Sequence, residues 1–296
     1  MKHLKPATAH FTGAANNRLV ADVFGDAGRP VMLLHGGGQT RHAWGRTAEH
    51  LARAGAQAYA IDQRGHGDSD WVAGGHYGFK DYGADAAAIA RSLYERTGQR
   101  PIAIGASLGG MASLLADGTS ERLGQGPLLA ALVLVDITPR VDRSGVDKIQ
   151  GFMGERAEEG FASVAEAADA VAAYLPHRPR PRSHEGLKKN LRLHPDGRWR
   201  WHWDPAVLKG ELSFALDHHA LEAALVEAAR AITIPALLVR GGASELVHEA
   251  HVREFLELVP HASFVDVADA RHMVAGDSND RFSDAVMEFV GTLERR

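Results

Sequence analysis

Cysteine is absent from the 296 residues, which excludes disulfides, thiol nucleophiles and thiolate metal sites. Any metal would have to be held by histidine and carboxylates, and no metal or cofactor is expected. Long hydrophobic runs are missing too. No segment approaches the roughly 18 apolar residues of a membrane span, and Met1 to Pro30 lacks the apolar stretch of a secretory signal. Neither sign of charge dominates: 33 Lys and Arg stand against 37 Asp and Glu, a formal net charge of -4, which gives no basic surface for nucleic acid. These absences suggest a cytoplasmic protein that binds neither nucleic acid nor membrane and takes a small-molecule substrate of little charge.

What is present is an ordinary globular composition, with 45% hydrophobic and 24% charged residues. The length suits one α/β domain of about 250 residues carrying an insertion. Short apolar runs alternate with helical patterns, the signature of a mostly parallel sheet flanked by helices. The strands are expected at Arg18 to Val23, Val31 to Leu34, Ala58 to Asp62, Ile102 to Ile104, Ala131 to Val135, Ala236 to Val239 and Ser263 to Val267. Tyr82, Ala86, Ile89 and Leu93 share one helix face, as do Val252, Phe255, Leu256 and Val259, and then Phe282, Val286, Phe289 and Leu293. No repeat at solenoid or propeller spacing occurs.

The alternation breaks between Thr138 and His219, where the chain turns helical, then basic and proline-rich, then aromatic. This predicts a core of residues 1–137 and 220–296 with a cap or lid at 138–219. In the cap, Pro195, Asp196 and Gly197 signal a turn, and Trp199, Trp201 and Trp203 alternate with polar residues as on a short strand. The tryptophans are read mainly as a small core of the cap, with Trp203 assigned to substrate contact. The basic run from His177 to Arg192, interleaved with Pro176, Pro179 and Pro181, reads as an extended solvated segment.

Three motifs carry chemistry. Gly105-Ala106-Ser107-Leu108-Gly109 fits G-x-S-x-G between an apolar run and a helical one. A serine nucleophile has to protrude from a sharp strand-to-helix turn that tolerates only tiny neighbours. The Leu108 amide, at the helix start, is then the first donor to an oxyanion. His35-Gly36-Gly37-Gly38 follows the strand Val31 to Leu34 and lets a backbone amide approach the same oxyanion; Gly37 is the chosen donor and Gly38 a substrate contact. Asp62-Gln63-Arg64-Gly65-His66-Gly67-Asp68-Ser69 ends another strand. It matches neither a P-loop nor a calcium loop, so Asp62 and Arg64 are expected to pin the loop beside the pocket.

In this order the three motifs resemble those of the α/β-hydrolase superfamily, over nearly the whole chain. The resemblance implies a triad in the chain order serine, acid, histidine. His272, after the strand Ser263 to Val267, is the implied base, although Arg271 stands where a glycine is common. Glu245, after Ala236 to Arg240, is the first choice for the acid, and Asp136, at the end of Ala131 to Val135, is the alternative. The expected activity is that of a serine hydrolase, cleaving a small or medium carboxylic ester through an acyl-enzyme. Ser107 at the elbow argues against epoxide hydrolases and haloalkane dehalogenases, whose chemistry needs Asp there. Carbon–carbon hydrolases of ring-cleavage products, lactonases, perhydrolases and a non-catalytic ligand receptor remain as alternatives.

Overall fold

The computed structural model describes residues 4–176, 183–209, 218–268, 270–272 and 279–294. Its centre is an eight-stranded sheet of β1 (Ala7–Thr12), β2 (Arg18–Phe24), β3 (Pro30–Leu34), β4 (Gln57–Ile61), β5 (Ile102–Ala106), β6 (Ala131–Val135), β9 (Ala236–Gly241) and β10 (Ser263–Val267), in the order β1-β2-β4-β3-β5-β6-β9-β10. From β4 to β10 all neighbours run parallel, while β1 pairs antiparallel with β2 and β2 with β4. The expected strands are all present, and β1 is an addition. Its sequence, Ala-Thr-Ala-His-Phe-Thr, buries only Phe11, so an exposed edge strand carries little apolar signal.

β3 and β6 are buried throughout and read as unbroken apolar runs, as parallel strands covered on both faces must. The helices α1 (Gly45–Arg53), α2 (Phe79–Thr97), α3 (Leu108–Arg122), α7 (His218–Ala231), α8 (Glu249–Leu258) and α9 (Asn279–Glu294) supply that cover. One layer joins Tyr82, Ala86, Ile89 and Leu93 of α2 to Met32, Leu34 and Leu134. The opposite layer joins Trp44 and Leu51 to Phe282 and Val286 of α9, under Val31, Ile104 and Val133. Each fully buried aliphatic or aromatic side chain contributes about 1.5–3 kcal/mol relative to exposure. Gly98, at φ 71, closes α2 in the left-handed conformation that spares the helix end a β-carbon clash.

Between β6 and α7 the alternation of strand and helix is interrupted. The segment carries α4 (Arg143–Gly154), α5 (Val164–Tyr174), α6 (Glu185–Lys188) and an antiparallel pair, β7 (Leu191–Leu193) and β8 (Trp199–Trp201). Asp142 caps α4 by accepting from the Ser144 and Gly145 amides, and the Ser163 hydroxyl caps α5 by accepting from the Glu166 amide. Trp201 lies edge-on to Phe161 and Phe152, with ring centroids 5.2 and 5.8 Å away, and Phe152 stacks on Tyr174 at 4.1 Å. These aromatics do not form a separate core of the segment: Phe161, Trp201 and Trp203 belong to the same continuous cluster as Met32, Leu34 and Leu134. The prolines and arginines at 177–182 lie outside the described residues. Among the described residues, no helix is long and apolar enough to cross a membrane.

Candidate active site

The register of the parallel strands brings the chemistry to one edge. Leu34 pairs with Gly105, Ala106 with Val135, Val135 with Val239, and Gly241 with Val267. His35, Ser107, Asp136 and the loop leading to His272 therefore all follow strand ends on the carboxyl side, where α/β sheets place their ligands.

Ser107 sits in the turn between β5 and α3 at φ 46 and ψ -115, a conformation rare for a residue with a side chain. The Gly105 and Gly109 positions enforce it. A β-carbon on Gly105 would overlap the Gly109 and Gly110 backbone, and one on Gly109 would overlap the Leu34 backbone. The strand and helix can approach this closely only because both positions lack side chains. The Leu108 amide, at the first position of α3, has no carbonyl four residues back within the helix to receive it.

Asp136 is also left-handed, at φ 50, and fully buried. Its amide donates to Val239 O at 2.7 Å. Its Oδ1 accepts from the Gly241 amide at 3.0 Å, and its Oδ2 accepts from Ser244 Oγ at 2.6 Å and faces His272 Nδ1 at 2.8 Å. A buried carboxylate so surrounded fixes the imidazole with its proton on Nδ1, leaving Nε2 as an acceptor. The first choice of acid, Glu245, is corrected by this geometry. Its carboxylate pairs with Arg271 Nη1 at 2.6 Å instead. The arginine that replaces the usual glycine beside the histidine captures the carboxylate at the half-exposed rim, and Asp136 takes the place on His272. The chain order serine, acid, histidine survives the exchange.

The glycine loop lies against the elbow, since a β-carbon on Gly36 would stand 3.4 Å from the Ser107 β-carbon. The Gly36 amide donates to Gln39 Oε1 at 3.2 Å, and the Gly38 amide to His66 Nε2 at 3.2 Å. Between them the Gly37 amide has no protein acceptor among the described residues. Gly38, at φ 74, is covered by Met153 of α4, whose Cε would lie 3.1 Å from a β-carbon there. Trp203 is 2% exposed, and its backbone bridges to His66. It anchors the inserted segment to the core, which lends its assignment to substrate contact no support. Met153 is the side chain of that segment found over the glycines, and an isolated methionine in a helical pattern gave no signal for that role. Asp269 and Met273, which flank the histidine loop, lie outside the described residues.

Asp62 and Arg64 pin the loop as expected. Asp62 pairs with Arg41 and accepts from the Arg41 and Asp68 amides at 2.6 and 2.9 Å. Arg64 makes a buried two-pronged pair with Asp85, both contacts at 2.7 Å. Within this frame burial pushes His35 down to about 4, and burial with the neighbouring His35 pushes His66 down to about 3. Both rings are neutral in the folded chain at neutral pH. Unfolded, each binds a proton near pH 6.5, so folding stability is present above that pH and falls as pH drops toward the folded values. His42, His202 and His251 shift the same way, mainly through burial. Asp117, raised to about 6 by burial against its two backbone donors, opposes them between about pH 4 and 6. Each fully depressed histidine contributes about 1.4 kcal/mol per pH unit. Urea unfolding is therefore expected to give a clearly lower stability at pH 5 than at pH 7.5; a flat or rising profile would mean that His35 and His66 accept protons in the folded state.

Among the described residues, no cluster of three His, Cys, Asp or Glu side chains is arranged to hold a metal ion. A left-handed serine at a glycine-walled elbow and a buried aspartate facing a partly buried histidine, each following a strand end of a mostly parallel sheet, are the pattern of an α/β-hydrolase. The chain belongs to the serine aminopeptidase S33 family, whose profile matches residues 26–279. It is 29% identical over 280 residues to esterase Rv0045c of Mycobacterium tuberculosis, covering 92% of this chain and 85% of that one. It is 31% identical over 234 residues to 2-(acetamidomethylene)succinate hydrolase of Mesorhizobium japonicum, covering 78% of this chain and 77% of that one. The crystal structure of E-2-(acetamidomethylene)succinate hydrolase superposes with a TM-score of 0.82 at 24% identity, over 97% of this chain and 99% of the other.

Proposed function

We propose that the chain is a serine esterase acting on a small or medium carboxylic ester. The observation that carries the reading is the 2.8 Å contact of buried Asp136 with His272, together with the strained backbone of Ser107 at the strand-to-helix turn. In this mechanism His272 Nε2 takes the Ser107 hydroxyl proton while Oγ bonds to the ester carbonyl carbon. The Gly37 and Leu108 amides hold the negative charge that develops on the carbonyl oxygen, and each such donor is worth about 3–4 kcal/mol of barrier. The alcohol leaves with the proton from His272, and water activated by the same histidine releases the acid from Ser107. Residues 138–219 act as a cap, and Met153 makes the wall near the oxyanion apolar. The relation to a mycobacterial esterase supports this substrate class.

A second substrate, an acylaminomethylene dicarboxylic acid, is favoured by the 31% identity to the succinate hydrolase. The same nucleophile, base and oxyanion donors would serve it. The test is hydrolysis of p-nitrophenyl esters from acetate to decanoate, with 2-(acetamidomethylene)succinate alongside, combined with a fluorophosphonate probe. Turnover that peaks at one chain length, with the phosphonyl group found on Ser107 by mass spectrometry, supports the esterase. Labelling of Ser107 with turnover of the succinate alone moves the assignment to the second substrate, and absence of both labelling and turnover removes the mechanism.

A further inference from the structure

His66 is fully buried and plays no part in the triad, yet its ring touches the loop on which oxyanion stabilisation depends. Its Nδ1 lies 2.9 Å from Arg64 O, which can only accept, so Nδ1 carries the proton. Its Nε2 is therefore a lone-pair acceptor, and the Gly38 amide donates to it at 3.2 Å. The displacement of His66 to about 3 by burial keeps this tautomer neutral across the working range of pH.

The backbone that carries the ring is fixed at several points. The His66 amide donates to Gln63 O at 3.0 Å, the Gly67 amide to His202 O at 2.7 Å, and the Asp204 amide to Gly65 O at 2.7 Å. An isolated bridge pairs His66 with Trp203 of the inserted segment. Tyr77 clamps the same junction, its hydroxyl donating to Asp204 Oδ2 at 2.6 Å. A second neutral ring, His35, lies 5.1 Å from His66, donates from Nδ1 to Gly36 O at 2.8 Å and accepts at Nε2 from the Gln63 amide at 3.1 Å. The glycine loop is thereby tied to buried imidazoles at Gly36 and Gly38, on both sides of Gly37.

We propose that His66 is a positioning residue for catalysis: its Nε2 fixes the Gly38 amide and thereby aims the neighbouring Gly37 amide at the transition-state oxyanion. The glycines have no side chains to set their own direction, and a shift of about 1 Å at a catalytic group can cost about 100-fold in rate. Because the oxyanion forms only in the transition state, the effect belongs to kcat and not to substrate binding.

This inference rests on the serine-esterase reading, and two substitutions at His66 separate it from a packing role. In His66→Gln the side-chain carbonyl can replace Nε2 as acceptor for Gly38. In His66→Asn the shorter amide can keep the Arg64 O contact but does not reach Gly38. The expected result on the best p-nitrophenyl ester is a fall in kcat of about 10–100-fold for His66→Asn with KM within about twofold, and recovery to within about threefold of wild type for His66→Gln. Inhibition by a trifluoromethyl ketone should weaken by the same factor as kcat. Equal losses in both variants, unchanged kcat in folded His66→Asn, or a change confined to KM would overturn the proposal. Should His66→Asn fail to fold, His66→Gln decides alone: low kcat in the folded protein overturns it. Wild type and Ser107→Ala are run in parallel; absence of Ser107-dependent turnover in wild type removes the parent reading, and the role of His66 with it.

Discussion

Asp136→Asn lowers kcat by about 10⁴-fold with the fold intact, whereas Glu245→Gln changes it by no more than about threefold, as befits a half-exposed ion pair. The contrast follows from what each carboxylate touches. An asparagine at 136 keeps the shape of the aspartate and can still accept the Gly241 amide through its carbonyl, although the Ser244 hydroxyl, which already accepts from the Leu246 and Val247 amides, loses its acceptor at the Oδ2 position. The asparagine NH2 at that position, facing His272 Nδ1, would require an acceptor there. The imidazole proton would move to Nε2, which could then no longer receive the proton of Ser107. Glu245→Gln removes only the charge opposite Arg271. Steady-state kinetics of the two variants on one ester decide the matter. A large loss in Glu245→Gln beside a small one in Asp136→Asn would restore the acid first expected from the order of the strands.

The difference between those two carboxylates marks where sequence reading stops. The nucleophile elbow is legible because a steric requirement is written in residue types: only glycine fits where Gly105 and Gly109 meet backbone. Strands β3 and β6 are legible because burial on both faces leaves unbroken apolar runs. The side on which a carboxylate emerges from a strand end is not written that way. Asp136 reaches His272 because its own backbone turns left-handed just past Val135, which aims the side chain across β9. Aspartate tolerates a left-handed backbone better than most residues, but that tolerance alone does not mark which aspartate adopts it. Glu245 has the expected distance along the chain, but Arg271 draws it to the rim. His66 carries a similar lesson, since its motif suggested only a structural loop, and its meaning lies in which ring nitrogen faces Gly38.

Ser107→Ala is expected to reduce kcat by roughly 10⁴–10⁶-fold and to leave stability nearly unchanged, while Ser107→Gly should show the same catalytic loss and a gain of about 1 kcal/mol in stability. The two variants separate the hydroxyl from the backbone that presents it. Alanine removes the nucleophilic oxygen but keeps the β-carbon at φ 46 and ψ -115, so the local strain stays. Glycine removes both, and a residue without a β-carbon adopts that conformation freely. Part of the relief is offset by the greater freedom of glycine in the unfolded chain, which keeps the expected gain below the full cost of about 1–3 kcal/mol for such a conformation. Urea unfolding of the three proteins measures the difference. If glycine is no more stable than alanine, the elbow stores no strain at position 107, and the packing of Gly105 and Gly109 alone sets its shape. If alanine keeps its turnover, the oxygen of Ser107 is not the atom that attacks. A more stable glycine variant without activity would show that folding energy is spent to hold the hydroxyl where β5 meets α3.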